Sequence, residues 1–320
     1  MDHNQARELL DKLVQRVERN IIGKREEIVL AVVSMLQGGH ILLEDVPGVG
    51  KTKLVRTLAA CVGGTFGRIQ FTSDLLPGDV TGVSVYLPHT GQFEFRPGPV
   101  HAHIVLADEI NRAAPRTQSA LLEAMEERKV TVDGVTRALP QPFLLLATQN
   151  PLEYEGTYRL PEAQLDRFLM RLSLGYPEPE QEMEMLSRMQ EPPAEIKPVL
   201  LPEEIRVMQR QVGTVLVDER IKKYLVLVAD ASRRHPQLSL GISPRGTLAW
   251  MGASQAMAYF QGRSFVIPDD VKRVARAVLS HRLMLKPESS LAGVSPEQVV
   301  GDLLDQGNIP VFHKASGGGL

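Results

Sequence analysis

Only one cysteine, Cys61, stands among the 320 residues, which excludes an internal disulfide and any thiolate-based zinc centre. A reducing compartment is the expectation. Neither sign of charge dominates: the formal net charge is −2, so the chain has no general attraction to nucleic acid or anionic lipid, and only a local basic patch could supply one. Long apolar runs are missing as well. The longest, residues 28–36 and 143–147, fall far short of the roughly 20 residues that span a bilayer, and no membrane-crossing helix is expected. Residues 1–20 are rich in Asp, Glu, Arg, Lys and Gln and leave no apolar core for a secretory signal, which points to the cytoplasm.

What is present suffices for a large packed core. At 320 residues and 43% hydrophobic content, two domains are expected. From residue 41 to about 174, short apolar runs alternate with helix-period segments, the pattern of an α/β domain with a parallel sheet flanked by helices. Strands are predicted at residues 41–43, 68–71, 104–107, 143–147 and 169–174; most are nearly all apolar, as strands covered on both faces tend to be. Two hairpins interrupt the plan. One pairs Val83-Ser84-Val85-Tyr86 with Gln92-Phe93-Glu94-Phe95, and the other turns at Asp133-Gly134, a pair that supplies the positive backbone angles of a tight turn. Tyr176-Pro177-Glu178-Pro179 marks a change of composition, so the boundary is drawn there: an α/β core over residues 1–176 with a short N-terminal helix, and a small helical domain over 177–320. Within the second part, Ser243-Pro244 and Pro268-Asp269-Asp270 read as helix starts, with short strand pairing possible only near Phe265-Val266-Ile267. The terminal Gly317-Gly318-Gly319 reads as a flexible end.

The chemistry begins at Val46-Pro47-Gly48-Val49-Gly50-Lys51-Thr52, behind the first apolar strand. Glycines at 48 and 50 let backbone N–H groups turn inward around phosphates, Lys51 can reach the β- and γ-phosphates, and Thr52 can ligate Mg²⁺. A helix over residues 51–61 adds its positive end. The general P-loop pattern wants a glycine where this chain has Asp45. An ordinary strand-to-helix turn would carry the same short Gly/Lys motif; its position behind a buried strand favours the phosphate loop. A second strand ends in Asp108-Glu109, where Asp108 would hold Mg²⁺ and Glu109 would polarise a water for in-line attack. The alternative is a solvated strand end, against which the order of the two motifs argues. Asn150 follows a third strand and can orient that water, or it belongs to a plain Asn-Pro turn with Pro151.

Two arginines stand apart. Arg167 precedes the last strand and can reach a neighbouring subunit's γ-phosphate as an arginine finger, or it pairs with a surface acid. Arg245 sits in the first turn of a helix, at the wrong end of the dipole for a cation; a phosphate or a nearby carboxylate would offset that placement equally well. His101 and His103 have no third ligand in sequence and read as packing or solvent-facing residues. Met183, Met185 and Met189 read as a gap-filling core face.

With these residues in order, the chain resembles MoxR-type members of the AAA+ ATPases from about residue 17 to at least 282. The matching stretches are Ile22-Gly23-Lys24 and residues 43–52, 71–82, 106–127, 147–151, 160–168 and 243–245. The resemblance implies an AAA+ P-loop domain followed by an α-helical lid. Lys51 and Thr52 then belong to Walker A, Asp108 and Glu109 to Walker B, Asn150 to sensor 1, and Arg245 to sensor 2. Arg167 is similar in placement to the arginine finger. Ile22-Gly23 resembles the segment lining the adenine, and the hairpins resemble the helix-2 and pre-sensor-1 insertions that often face a central pore. The implied ligands are ATP and Mg²⁺; the implied assembly is a ring, usually a hexamer, in which hydrolysis remodels a protein client, commonly with a von Willebrand factor A domain partner. Alternatives are a nucleic-acid motor, a magnesium-chelatase-like subunit, or a nucleotide-gated binding switch. The near-neutral charge argues against nucleic acid.

Overall fold

Successive side chains of a strand point to opposite faces, and the sequence uses both. Ile41, Leu43, Ile104, Leu106, Leu144 and Leu146 pack into one apolar cluster, while Leu42, Val105, Ala107, Leu145 and Ala147 pack into a second. The runs read as continuously apolar because their two faces supply two different cores. A computed structural model of the chain describes residues 2–149, 157–188 and 196–306. Asn150, Pro151, Met189 and the terminal glycines lie outside the described residues.

Two helices, α1 (His3–Glu18) and α2 (Arg25–Gln37), precede β1 (Ile41–Glu44) and α3 (Lys51–Cys61). There follow β2 (Phe66–Gln70), α4 (Pro77–Thr81), a hairpin of β3 (Gly82–Leu87) and β4 (Gln92–Pro97), then β5 (Ile104–Asp108) and α5 (Pro115–Glu127). A second hairpin, β6 (Lys129–Val132) and β7 (Val135–Ala138), leads to β8 (Leu144–Gln149), α6 (Glu162–Leu165) and β9 (Met170–Leu172). The core strands form one parallel sheet in the order β2-β5-β8-β1-β9. All carboxyl ends therefore share an edge, and β8 separates the strand feeding the P-loop from the strand ending in the acid pair. All five strands and both hairpins stand where the sequence placed them, with ends shifted by one or two residues.

The remainder is α7 (Pro179–Arg188), α8 (Pro202–Val212), α9 (Glu219–Arg233), β10 (Leu238–Leu240), α10 (Pro244–Phe260), α11 (Pro268–Leu279), β11 (Met284–Leu285), α12 (Pro287–Leu291) and α13 (Pro296–Gln306). Helices α8, α9, α10, α11 and α13 share the first apolar cluster with α1, α2 and α3, so the core runs unbroken from the sheet into the helical part. Trp250 is its largest fully buried side chain and donates its indole N–H to the Val271 carbonyl at 2.8 Å.

Two expectations change and one is met. β10 and β11 form an antiparallel pair that three- and two-residue strands were too short to announce. The short pairing expected near Phe265 is a single parallel bridge to Leu216. Met183 and Met185 are exposed, at 64% and 44%, because α7 buries no residue at all; an apolar stripe shows amphipathicity, not a partner.

His40, just before β1, is buried with both ring nitrogens engaged. Nδ1 accepts the Leu145 N–H at 3.0 Å, so Nε2 carries the proton toward the Met125 carbonyl at 3.0 Å. Burial pushes its pKa down to about 3. The unfolded chain takes up the proton near the ordinary imidazole value, whereas the folded chain refuses it, so acid favours unfolding. This contribution is intact above the ordinary value and falls by roughly 2 kcal/mol at pH 5. A His40→Gln variant should accordingly show a shallower loss of stability between pH 6.5 and pH 5 in denaturant titrations; an identical slope would contradict this role.

Candidate nucleotide site

The loop between β1 and α3 owes its shape to two glycines. Gly48 and Gly50 have φ of 88° and 94°, and a Cβ at either would meet nothing within 4 Å, so backbone angle and not space demands glycine. Pro47 and Gly48 form the exposed tip, and Val49 packs back on the core. α3 starts without a side-chain cap and with no acid in its first turn, leaving its first N–H groups directed at whatever the loop encloses. Lys51 Nζ donates to the loop's own carbonyls, Asp45 at 2.9 Å and Val46 at 3.3 Å, and Thr52 follows in the first helical turn. An uncapped helix end, a lysine and a hydroxyl fit a triphosphate with its divalent cation.

Asp45, the departure from the general pattern, is a clasp. Its buried carboxylate accepts from Ser173 Oγ (2.8 Å), Leu174 N (2.6 Å) and Gly175 N (3.1 Å), pinning the root of the loop to the chain leaving β9. Next along that chain, the Tyr176 carbonyl accepts from Lys24 Nζ at 3.0 Å, which ties in the half-buried Ile22 and the exposed Gly23. Asp45→Ala would strip two backbone N–H groups and a hydroxyl of their acceptor. A loss of roughly 3 kcal/mol in unfolding free energy is expected, with weaker nucleotide binding. Stability and affinity both at the parent values would refute the clasp.

The acid pair lies one strand beyond β8. Asp108 accepts from Thr148 Oγ1 at 2.7 Å and from the Arg68 guanidinium at 2.8 Å. Glu109 sits in the left-handed region (φ 58°), uncommon for a residue with a side chain and frequent at functional sites. Its N–H donates to the same Thr148 hydroxyl at 2.8 Å, and its carboxylate accepts from Gln70 Nε2 at 3.0 Å and pairs with Arg112 at 3.0 Å. Since Asp45 N also reaches the Gln149 carbonyl at 3.4 Å, the end of β8 touches both the P-loop root and the acid pair.

Arg167 and Arg245 are elsewhere. Arg167 Nε pairs with Glu126 Oε2 at 3.1 Å and Arg245 with Glu126 Oε1 at 2.7 Å, so one carboxylate at the end of α5 holds both. The anion beside the first turn of α10 is thus a glutamate. They line a pocket with Gly39, His40 and Leu169, residues that precede β1 and β9. That is the amino-end edge of the sheet. The P-loop follows the carboxyl end of β1, a strand about 13 Å long at about 3.3 Å per residue. The two arginines consequently face away from the phosphate loop of their own chain.

Comparison with known proteins agrees with this fold. The ATPase family associated with various cellular activities (AAA) matches residues 40–170, and the AAA lid domain matches residues 230–303. Chaperone MoxR1 of Mycobacterium tuberculosis (strain ATCC 25618 / H37Rv) is 43% identical over 94% of this chain and 82% of its own length. YeaC of Bacillus subtilis (strain 168), a protein of uncharacterised function, is 51% identical over 96% and 97%. The chain belongs to the MoxR family of AAA+ ATPases. The crystal structure of a candidate ATPase from Cytophaga hutchinsonii ATCC 33406 superposes with a TM-score of 0.91 at 37% identity, covering 97% of each chain.

This MoxR-family chain is an ATPase, and its fold is the AAA+ sheet with a helical lid. Several site residues escaped the sequence reading. Gln70 and Arg68 were reachable, since aligning β2 with β5 sets Gln70 opposite Asp108. Thr148 and Glu126 were not: a threonine within an apolar strand and one glutamate among several carry no local mark. His101 and His103 engage Thr81 and Thr65, and no metal-holding cluster of His, Cys, Asp and Glu occurs among the described residues. No helix among the described residues is long and apolar enough to cross a membrane.

Proposed function

We propose that this MoxR-family chain is an ATP-driven chaperone that remodels protein partners as a ring oligomer, each ATP site being completed by the next subunit. The observation that carries this reading is the placement of Arg167 and Arg245 together on Glu126, at the sheet edge opposite Lys51. An edge lined by arginines and a phosphate loop at the other edge are complementary when copies stack head to tail. A ring of six is the expected closed form.

In each site Lys51 and the N–H groups of residues 48–52 bind the β- and γ-phosphates, and Ile22-Gly23 lines the adenine. Thr52 and Asp108 would hold Mg²⁺, whose charge would offset that of the phosphates. Glu109 takes the proton of the attacking water, and Asn150 orients that water. Arg167 and Arg245 leave Glu126 for the neighbour's γ-phosphate, where they stabilise the charge of the transition state. The hairpins β3–β4 and β6–β7 carry the resulting motion to a client. Their exposed Val83, Tyr86, Phe93 and Val135 supply apolar contact, and a von Willebrand factor A domain protein is the expected partner.

The test is ATP turnover per chain against chain concentration. Specific activity should rise from near zero to a plateau as oligomers form, and Glu109→Gln loaded with ATP should retain a bound partner protein. Full specific activity at concentrations where the chain sediments as a monomer would sink the shared-site reading.

A further inference from the structure

The arginines at the amino-end edge hold few positions of their own. Arg167 and Arg245 are 31% and 47% exposed at the side chain, and α6, which leads into Arg167, buries no residue. An exposed arginine explores many rotamers, so its aim depends on the backbone that carries it.

That backbone is gripped from the helical part of the fold by Arg282, whose side chain is only 2% exposed. Its guanidinium donates to the carbonyls of Asp166 (3.0 Å), Phe168 (2.7 Å) and Leu169 (3.1 Å), on both sides of Arg167, and also to the Val278 carbonyl. Nε donates to Asp166 Oδ1 at 2.7 Å. The other oxygen of Asp166 accepts from Ser243 Oγ at 3.0 Å, and Ser243 is the N-cap of α10, two residues before Arg245. Gly246 completes the joint. A Cβ there would lie 2.9 Å from Arg282 Cδ, so the first turn of α10 rests directly on the arginine stem.

One buried guanidinium and one carboxylate thereby fasten both arginine-bearing segments. Burying a charge is costly unless it is fully paired, and a well-packed apolar residue would serve stability as well or better. A fork of fixed donors is what sets three carbonyls in one geometry.

We infer that Arg282, acting with Asp166, is a positioning residue that holds Arg167 and Arg245 as one unit for the nucleotide of an adjacent chain. This rests on the shared-site reading above. Displacing a catalytic group by about 1 Å can cost about a hundredfold in rate, which sets the scale of the effect.

The experiment uses full-length Arg282→Lys, which keeps the charge and loses the fork, together with Asp166→Asn, which keeps an acceptor for Nε should the lysine variant fold poorly. Each should lose turnover by up to about a hundredfold while its own P-loop, at the far edge, binds ATP with parental affinity. Each should then regain turnover when mixed with Glu109→Gln chains, which lack the base but present correctly held arginines. Arg167→Ala mixed with Glu109→Gln is the control. Recovery in the control but not with the Arg282 or Asp166 variants overturns the inference and spares the shared site. Failure of every mixture removes the shared-site reading and the inference with it.

Discussion

Glutamine in place of Glu109 is expected to lower ATP turnover by about 10²- to 10⁴-fold, the span ordinarily supplied by a positioned general base. The substitution is close to isosteric, and its amide oxygen can still accept from Gln70 Nε2, which lies 3.0 Å from the carboxylate in the parent chain. What disappears is the capacity to take a proton from water. Lys51 and the N–H groups of α3 are untouched, so ATP affinity should stay within about twofold, as befits an interaction made chiefly in the transition state. Steady-state phosphate release and equilibrium binding of a fluorescent ATP analogue separate the two effects. Turnover at the parental rate would assign the base to another residue.

Arg167→Ala should be at least as damaging, about 10³-fold or more in kcat, the range associated with arginine fingers. Folding should hardly notice. The pair with Glu126 is partly exposed on both sides, and pairs of that kind contribute about 0–1 kcal/mol. Loss of stability comparable to that of a core mutation would show that the arginine is structural. The variant is also the natural partner for Glu109→Gln, because the two lesions lie at opposite edges of the sheet.

How much of this was legible in the sequence follows from the range of the forces involved. Strands β1, β5 and β8 were readable because burial on both faces demands unbroken apolar runs, and α3 was readable to the residue because Gly50 opens it and packing closes it. The acid pair and the P-loop announced themselves through type and spacing. The reading was silent where a residue's partner lies far along the chain. Asp45 looked like a defect in a motif, yet its partners at 173–175 turn it into the anchor of that motif. The alternatives for Arg167 and Arg245, pairing with a carboxylate, were each recognised, but nothing local revealed that the same carboxylate serves both. Arg282 drew no notice, because a basic residue after a helix is ordinary until its carbonyl partners are seen. Met183 and Met185 show the converse: a helical apolar stripe was legible, and the absence of a covering neighbour within the described residues was not.

The proposed site is divided between chains, with Lys51, Thr52, Asp108 and Glu109 on one side and Arg167 and Arg245 on the other. The decisive measurement is ATP turnover in mixtures of Glu109→Gln and Arg167→Ala chains, each inactive alone. Mixed rings should recover activity, greatest near equal proportions, because an Arg167→Ala P-loop then meets an intact arginine edge. Turnover that stays at the floor in every proportion, with co-assembly verified, would contradict the divided site.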